Sequence, residues 1–223
     1  MHFLTSDARA LNWMKIWKPN VRIITHYFYA LGQSPFQTDA TGLYSGLLSQ
    51  LLDEDENLTT RLLNRFPSSS RKDCLEHWSA PDLERLLKFA LHSRQSDIPL
   101  CIFIDGLDEY SGVGGHDGLL ESLDFIRRYP GVKLCVSSRP DRSFLDKLRG
   151  PSGLKLQELT RPDMEGHVEI ELGKFLRNGK ISAQVKADIT CLLLERAQGV
   201  FLWLHVVLES VKEGIRNGDG WDI

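Results

Sequence analysis

Two short strings hold the residue types that could do chemistry. The first, Cys101-Ile102-Phe103-Ile104-Asp105-Gly106-Leu107-Asp108-Glu109, is an apolar run closed by acids. Such a run forms a buried strand, so Asp105 emerges at its carboxyl end, where open α/β sheets bind ligands and a carboxylate can hold Mg²⁺ with a phosphate. Asp108 and Glu109 follow at once, and three neighbouring carboxylates repel one another unless a cation offsets them. The plainer alternative is a solvated acidic turn behind a core strand. The second string, Val136-Ser137-Ser138-Arg139-Pro140, also follows an apolar run. Arg139 should leave the sheet at the same edge as Asp105, where its guanidinium can grip a phosphate oxygen or pair with the nearby acids.

The elements that must position these strings can be read from periodicity. Met1 to Trp17 carries apolar residues at helical spacing, and Pro19 ends it. Val21 to Tyr29 is rich in β-branched and aromatic residues and reads as a strand, followed by a polar loop from Gly32 to Thr41 and a helix from Gly42 to Leu52. From Asp53 to Ser79, beginning with the acidic patch Asp53 to Glu56, short helical pieces alternate with solvated loop. Ser79 caps a helix from Ala80 to His92, with Pro81 in its first turn. Leu100 to Ile104 is the next strand. A helix near Gly118 to Arg128, a strand Val132 to Ser137, a short helix near Asp141 to Leu148 and a strand Leu154 to Leu159 complete an alternation that implies a parallel sheet wrapped by helices. Beyond Arg161 the pattern is helical throughout, over Pro162 to Arg177, Ser182 to Ala197 and Val200 to Arg216. In the last helix Phe201, Trp203, Val206, Val207 and Val211 form an apolar stripe that reads as core, with a partner-helix surface as the alternative.

Composition removes several classes. The 27 Lys and Arg against 30 Asp and Glu, with no basic face interleaved with aromatics, argue against nucleic acid. No apolar run reaches the roughly 18 residues of a membrane span, and the N-terminus has no apolar secretory core, so a cytoplasmic domain is expected. The four cysteines lie far apart without a Cys-x-x-Cys pair and read as reduced thiols in the core, Cys101 and Cys135 inside strand-like runs. His167 and His205 have no companion Cys, His or acid at metal-ligand spacing in the sequence, so zinc is not expected.

Taken together, FIDGLDEY, CVSSRPDRSF, LQELTRPDMEGHV and AQGVFLWLHVVLESVKEGI resemble the fungal NACHT domains, STAND-class P-loop NTPases related to the nephrocystin-3 N-terminal region and to NOD-like receptors. The resemblance spans nearly the whole chain. It implies a P-loop NTPase-type three-layer α/β/α parallel sheet over residues 1–160, followed by a helical subdomain over 161–223. It further implies that Asp105 is the Mg²⁺-associated Walker B acid, that Asp108 and Glu109 orient or activate the attacking water, and that Arg139, with Ser138 beside it, meets the terminal phosphate. Mg²⁺ and ATP are the cofactors of the family, which switches from closed monomer to signalling oligomer on nucleotide exchange.

The chain departs from that family in one respect. Its Gly-Lys pairs, Gly173-Lys174 and Gly179-Lys180, are followed by Phe and Ile, so there is no Gly-x-x-x-x-Gly-Lys-Ser/Thr loop, and Met1-His2-Phe3-Leu4 is similar to the helix that follows that loop. Charge-assisted hydrogen bonds to phosphate contribute roughly 1.5 to 3 kcal/mol each, against about 8 kcal/mol for an entire micromolar site. Without the loop the expectation is a catalytically impaired domain. In the family's sheet the strand before the loop lies between Leu154–Leu159 and Val132–Ser137, so its loss should leave a slot there with two open edges. The competing expectation is a non-enzymatic interaction module that binds its own copies or intact NACHT proteins.

Overall fold

The computed structural model describes residues 1–32, 34–53, 55–72, 74–94, 98–140, 142–148 and 153–218, and the chain divides into two compact units, 1–150 and 151–223. Glu54 of the acidic patch and Asp141 at the expected start of a short helix lie outside the described residues.

The first unit is an α/β unit, compatible with a Rossmann-like fold. Three parallel strands, β1 (Arg22–Tyr27), β2 (Leu100–Asp105) and β3 (Val132–Val136), pair in the order β1-β2-β3, where the sequence places them. The register sets Tyr27 opposite Asp105 and Val136 opposite Ile104, so all three strands deliver their following turns to one edge. Central β2 is buried through Ile104, as its unbroken apolar run demands. Ile24, Ile102, Ile104, Leu134 and Val136 meet the apolar faces of α3 (Ala40–Asp53), α5 (Ala80–Ser93) and α6 (Gly115–Arg127) in one core. Between α3 and α5, α4 (Glu56–Arg65) and two 3-10 turns form the expected helical pieces, and Asp55 from the acidic patch caps α4 by accepting from Leu58 N at 2.8 Å. Ser79 caps α5 through Asp82 N. A short helix, α7 (Arg142–Lys147), closes the unit and buries Phe144.

The opposite face of the sheet carries Cys101, Phe103, Lys133 and Cys135, and it is thinly covered. The expected single helix from Met1 to Trp17 is two, α1 (His2–Ser6) and α2 (Ala8–Trp17), because Asp7 turns extended and its side chain caps α2 through Arg9 N at 2.9 Å. Trp17 stacks under Lys133 Nζ at 4.0 Å, while Trp13 and Ile16 stay 72% and 65% exposed. All four cysteines are free; Cys101 is buried, Cys135 is half-buried, and Cys74 and Cys191 are exposed rather than in the core.

At the outer edge of β1 the side chain of Gln50 on α3 imitates a neighbouring strand. Its Oε1 accepts from Thr25 N at 2.9 Å and its Nε2 donates to Thr25 O at 2.8 Å, which satisfies edge groups that would otherwise invite pairing with another chain. His26 points from β1 toward Gly46 of α3, its ring edge-on to Phe28 at 4.6 Å, and its buried Nε2 has no partner. Burial pushes its pKa down to about 4.

The second unit is helical. The expected strand at Leu154–Leu159 is instead α8 (Leu156–Leu159), leading into α9 (Arg161–Arg177), α10 (Ala183–Ala197) and α11 (Phe201–Asn217). The alternating Leu154 and Leu156 suggest a strand, yet among the described residues no strand flanks them and both are largely exposed. A different contact fixes the segment. Gln157 packs so closely on Gly199, which has φ +84° in the turn before α11, that a Cβ there would lie 2.2 Å from Gln157 Cβ. Among the described residues the sheet therefore ends at β3, with no fourth strand to form the far wall of the expected slot.

The core of this unit is Met164, Val168, Leu172, Leu193, Leu204 and Leu208 with their neighbours. The stripe read as core is displaced: Phe201, Trp203 and Val206 are exposed, and Val207 and Val211 only flank the core. Buried Lys212 on α11 reaches Glu171 Oε2 on α9 at 2.6 Å, and Glu171, held also by Lys174, titrates at about 2.

The depressed His26 pKa sets a pH dependence. The unfolded chain takes up a proton near pH 6.5 and the folded one only near 4. This contribution is intact above pH 6.5 and declines as pH falls to 4, by about 3 kcal/mol in all. Urea unfolding of His26→Leu is expected to show a flatter stability profile across that window than the parent chain; an unchanged profile would exclude His26 as the sensor.

Candidate functional site at the carboxyl edge of the sheet

The strand register brings the two chemical strings together. Ser137, one residue past the end of β3, lies beside Asp105 at the end of β2, and Ser137 Oγ donates to Asp105 Oδ1. Gly106 then turns the chain with φ +73°, and a Cβ there would lie 3.2 Å from Phe28 O, so glycine serves both the turn and the close approach to the neighbouring strand's exit. Leu107 N donates to Ser137 O at 3.0 Å, and a 3-10 turn over Leu107–Glu109 follows.

That turn carries the other two acids in different directions. Asp108 Oδ1 accepts from Arg139 N at 2.9 Å and Ser138 Oγ at 3.4 Å, and its Oδ2 lies 3.5 Å from Arg139 Nε. The Asp108 side chain is 17% exposed and that of Arg139 86%, so the acid is a fixed brace and the guanidinium reaches into solvent. Glu109 points to the other neighbour, where its Oε2 accepts from Ala30 N at 2.6 Å, just beyond β1. Ser111 continues this tie by donating from its N to Thr38 O at 2.8 Å. The three carboxylates avoid mutual repulsion by each taking separate donors.

Asp105, Asp108, Ser138 and Arg139 therefore share one rim, with Glu109 at its β1 side. Sequence reading named Ser138 and passed over Ser137. The parallel register alone pairs Ser137 with Asp105, and that register could have been counted from Val132 opposite Leu100. The start of α1 also arrives at this rim, with Met1 N 3.7 Å from Asp105 Oδ2. Among the described residues, no three His, Cys, Asp or Glu side chains converge as ligands for a metal. Asp105 offers one half-buried carboxylate with one oxygen already engaged, which suits only a cation that keeps most of its waters.

Residues 10–139, more than half of the chain and the whole rim from β1 through Arg139, match the family described as nephrocystin 3, N-terminal. No curated protein and no solved structure matches the chain. No helix among the described residues is long and apolar enough to cross a membrane.

Removing the brace should loosen the rim. Asp108→Ala removes the acceptor of Arg139 N, while Ser138 Oγ keeps its bond to Arg139 O, and is expected to lower stability in urea unfolding by about 1 kcal/mol. Asp108→Asn keeps one acceptor and should cost less. Gly106→Ala, forced into the left-handed region, should cost about 1 to 2 kcal/mol.

Proposed function

The chain belongs to the nephrocystin 3 N-terminal family, and from that premise we propose that it is the nucleotide-handling core of a NACHT-type, STAND-class signalling NTPase, silent as an ATPase in these 223 residues alone. The observation that carries this reading is the gathering of Asp105, Asp108, Ser138 and Arg139 at the carboxyl ends of adjacent parallel strands, where such sheets take nucleotides. The approach of Met1 to Asp105 supports it, since Met1-His2-Phe3-Leu4 is similar to the helix that follows the phosphate loop in the resembling family.

In this reading Asp105 would hold Mg²⁺, with Ser137 fixing the orientation of its carboxylate. When bound, Mg²⁺ neutralises charge on the phosphates. Arg139, exposed and tethered to Asp108 through its main chain, has the freedom to swing its guanidinium toward a terminal phosphate, with Ser138 beside it. Asp108 and Glu109 are the acids that would orient a water, although each already accepts from a backbone amide. The rim residues thus fit the tail of a magnesium nucleotide. The cradle does not follow from them, because no Gly-x-x-x-x-Gly-Lys-Ser/Thr is present to supply successive amides and a lysine.

A second reading, an interaction module without catalysis, is favoured by the outer edge of β3, which pairs with no strand among the described residues, and by exposed Phe3, Trp13 and Ile16. It expects concentration-dependent self-association, or binding to intact NACHT proteins, that is indifferent to nucleotide.

Calorimetry with ATP and Mg²⁺ separates the two. The 223-residue chain is expected to show no saturable micromolar binding and no turnover. Extending it before Met1 with a strand and a Gly-x-x-x-x-Gly-Lys-Ser loop should create a micromolar site that Asp105→Asn or Arg139→Ala weakens by roughly tenfold or more. A folded extended chain that ignores ATP, or a site indifferent to both substitutions, overturns the nucleotide reading. So does ATP turnover by the unextended chain that Asp108→Ala abolishes, because that chain is proposed to be silent.

A further inference from the structure

In the helical unit, two histidines remote in sequence meet across neighbouring helices. The rings of His167 on α9 and His205 on α11 stand 6.2 Å apart between centroids, with planes 36° apart. Both sit next to fixed anchors, His167 before fully buried Val168 and His205 after fully buried Leu204. The Lys212–Glu171 bridge clamps the same pair of helices further along. Phe201, one turn before His205, lies with its ring 6.0 Å from His167 and walls one side with carbon. His205 is exposed and His167 half-buried, so solvent and ions have access.

Two imidazole nitrogens on one tetrahedral ion at about 2.1 Å stand about 3.4 Å from each other, which puts the ring centroids about 5 to 6 Å apart. The observed centroid spacing of 6.2 Å is close to that separation. We propose that His167 and His205 form a two-imidazole site for Zn²⁺ or a cation of similar softness, with waters completing the coordination, and that the ion staples α9 to α11. Imidazole donors favour zinc, copper and nickel over magnesium and calcium. Glu209, one turn beyond His205, is engaged by Lys212 at 2.7 Å, and no third protein ligand converges among the described residues. The site therefore binds in the micromolar range rather than as a closed structural centre. It lies in a different unit from the rim and stands independently of the nucleotide reading.

The test is calorimetric titration of Zn²⁺ into the 223-residue chain, with thermal unfolding alongside. One micromolar site and a raised unfolding temperature are expected, with no response to Mg²⁺. His167→Ala and His205→Ala should each weaken binding by roughly tenfold or more, whereas His77→Ala, an exposed histidine of the other unit, should leave it unchanged. Both targets are away from the core, so circular dichroism of the variants should match the parent. Undiminished binding in the double variant overturns the proposal, as does the absence of saturable binding up to about 1 mM Zn²⁺, a concentration well above any micromolar site.

Discussion

The rim depends on the cross-tie between the turns that follow two adjacent strands. Asp105 accepts from Ser137, Ser137 accepts from Leu107, and Asp108 accepts from Arg139, so each turn is held by the other. A turn beyond a strand has few ladder partners, and its polar groups must be satisfied locally or by water. Here the satisfaction is mutual. Glu109 extends it to the exit of β1 through Ala30. Three consecutive strand exits thereby become one mechanically continuous edge, which a ligand or partner can address as a unit.

Much of this was legible in the residues. The strands announced themselves because each is a short, dense apolar run, and β2 in particular has no polar residue before Asp105. The placement of Asp105 and Arg139 on one edge followed from parallel topology alone. What escaped were features set by tertiary contact. Leu154 and Leu156 alternate as in a strand, but a strand needs a neighbour to bond, and this segment found Gly199 and a helical turn instead. The break at Asp7 hid inside a continuous apolar period because a capping side chain can interrupt a helix without changing its hydrophobic pattern. The stripe around Trp203 reads as core by its spacing, yet Leu204 and Leu208 face inward, since a stripe of one helix cannot be oriented without its partners. The meeting of His167 and His205 was invisible for the same reason.

The two units hold together internally by different means. In the first, a sheet face and the helices packed on it bury one apolar core, and polar groups appear mostly at its margins. In the second, the helices share a smaller core and enclose an ionic link, with Lys212 buried between Glu171 and Glu209. Burying charge is costly unless every partner is in place. Glu171 contributes through its ionised form, so acid works against this unit as Glu171 protonates below the usual carboxylate range. The first unit is touched earlier in an acidification, at His26, which must remain neutral to stay where it is.

Gln50 carries a consequence for how α3 is seated. A carboxamide carries its acceptor and donors at fixed spacing, so Gln50 matches the two polar groups of one strand residue while its Nε2 also donates to Gly46 O of its own helix at 2.7 Å. By matching Thr25 at both its N–H and C=O, it works like a key cut for one notch. Sliding the helix by a turn would orphan both groups, so the carboxamide indexes helix to strand in a way that greasy contact, which tolerates sliding, does not.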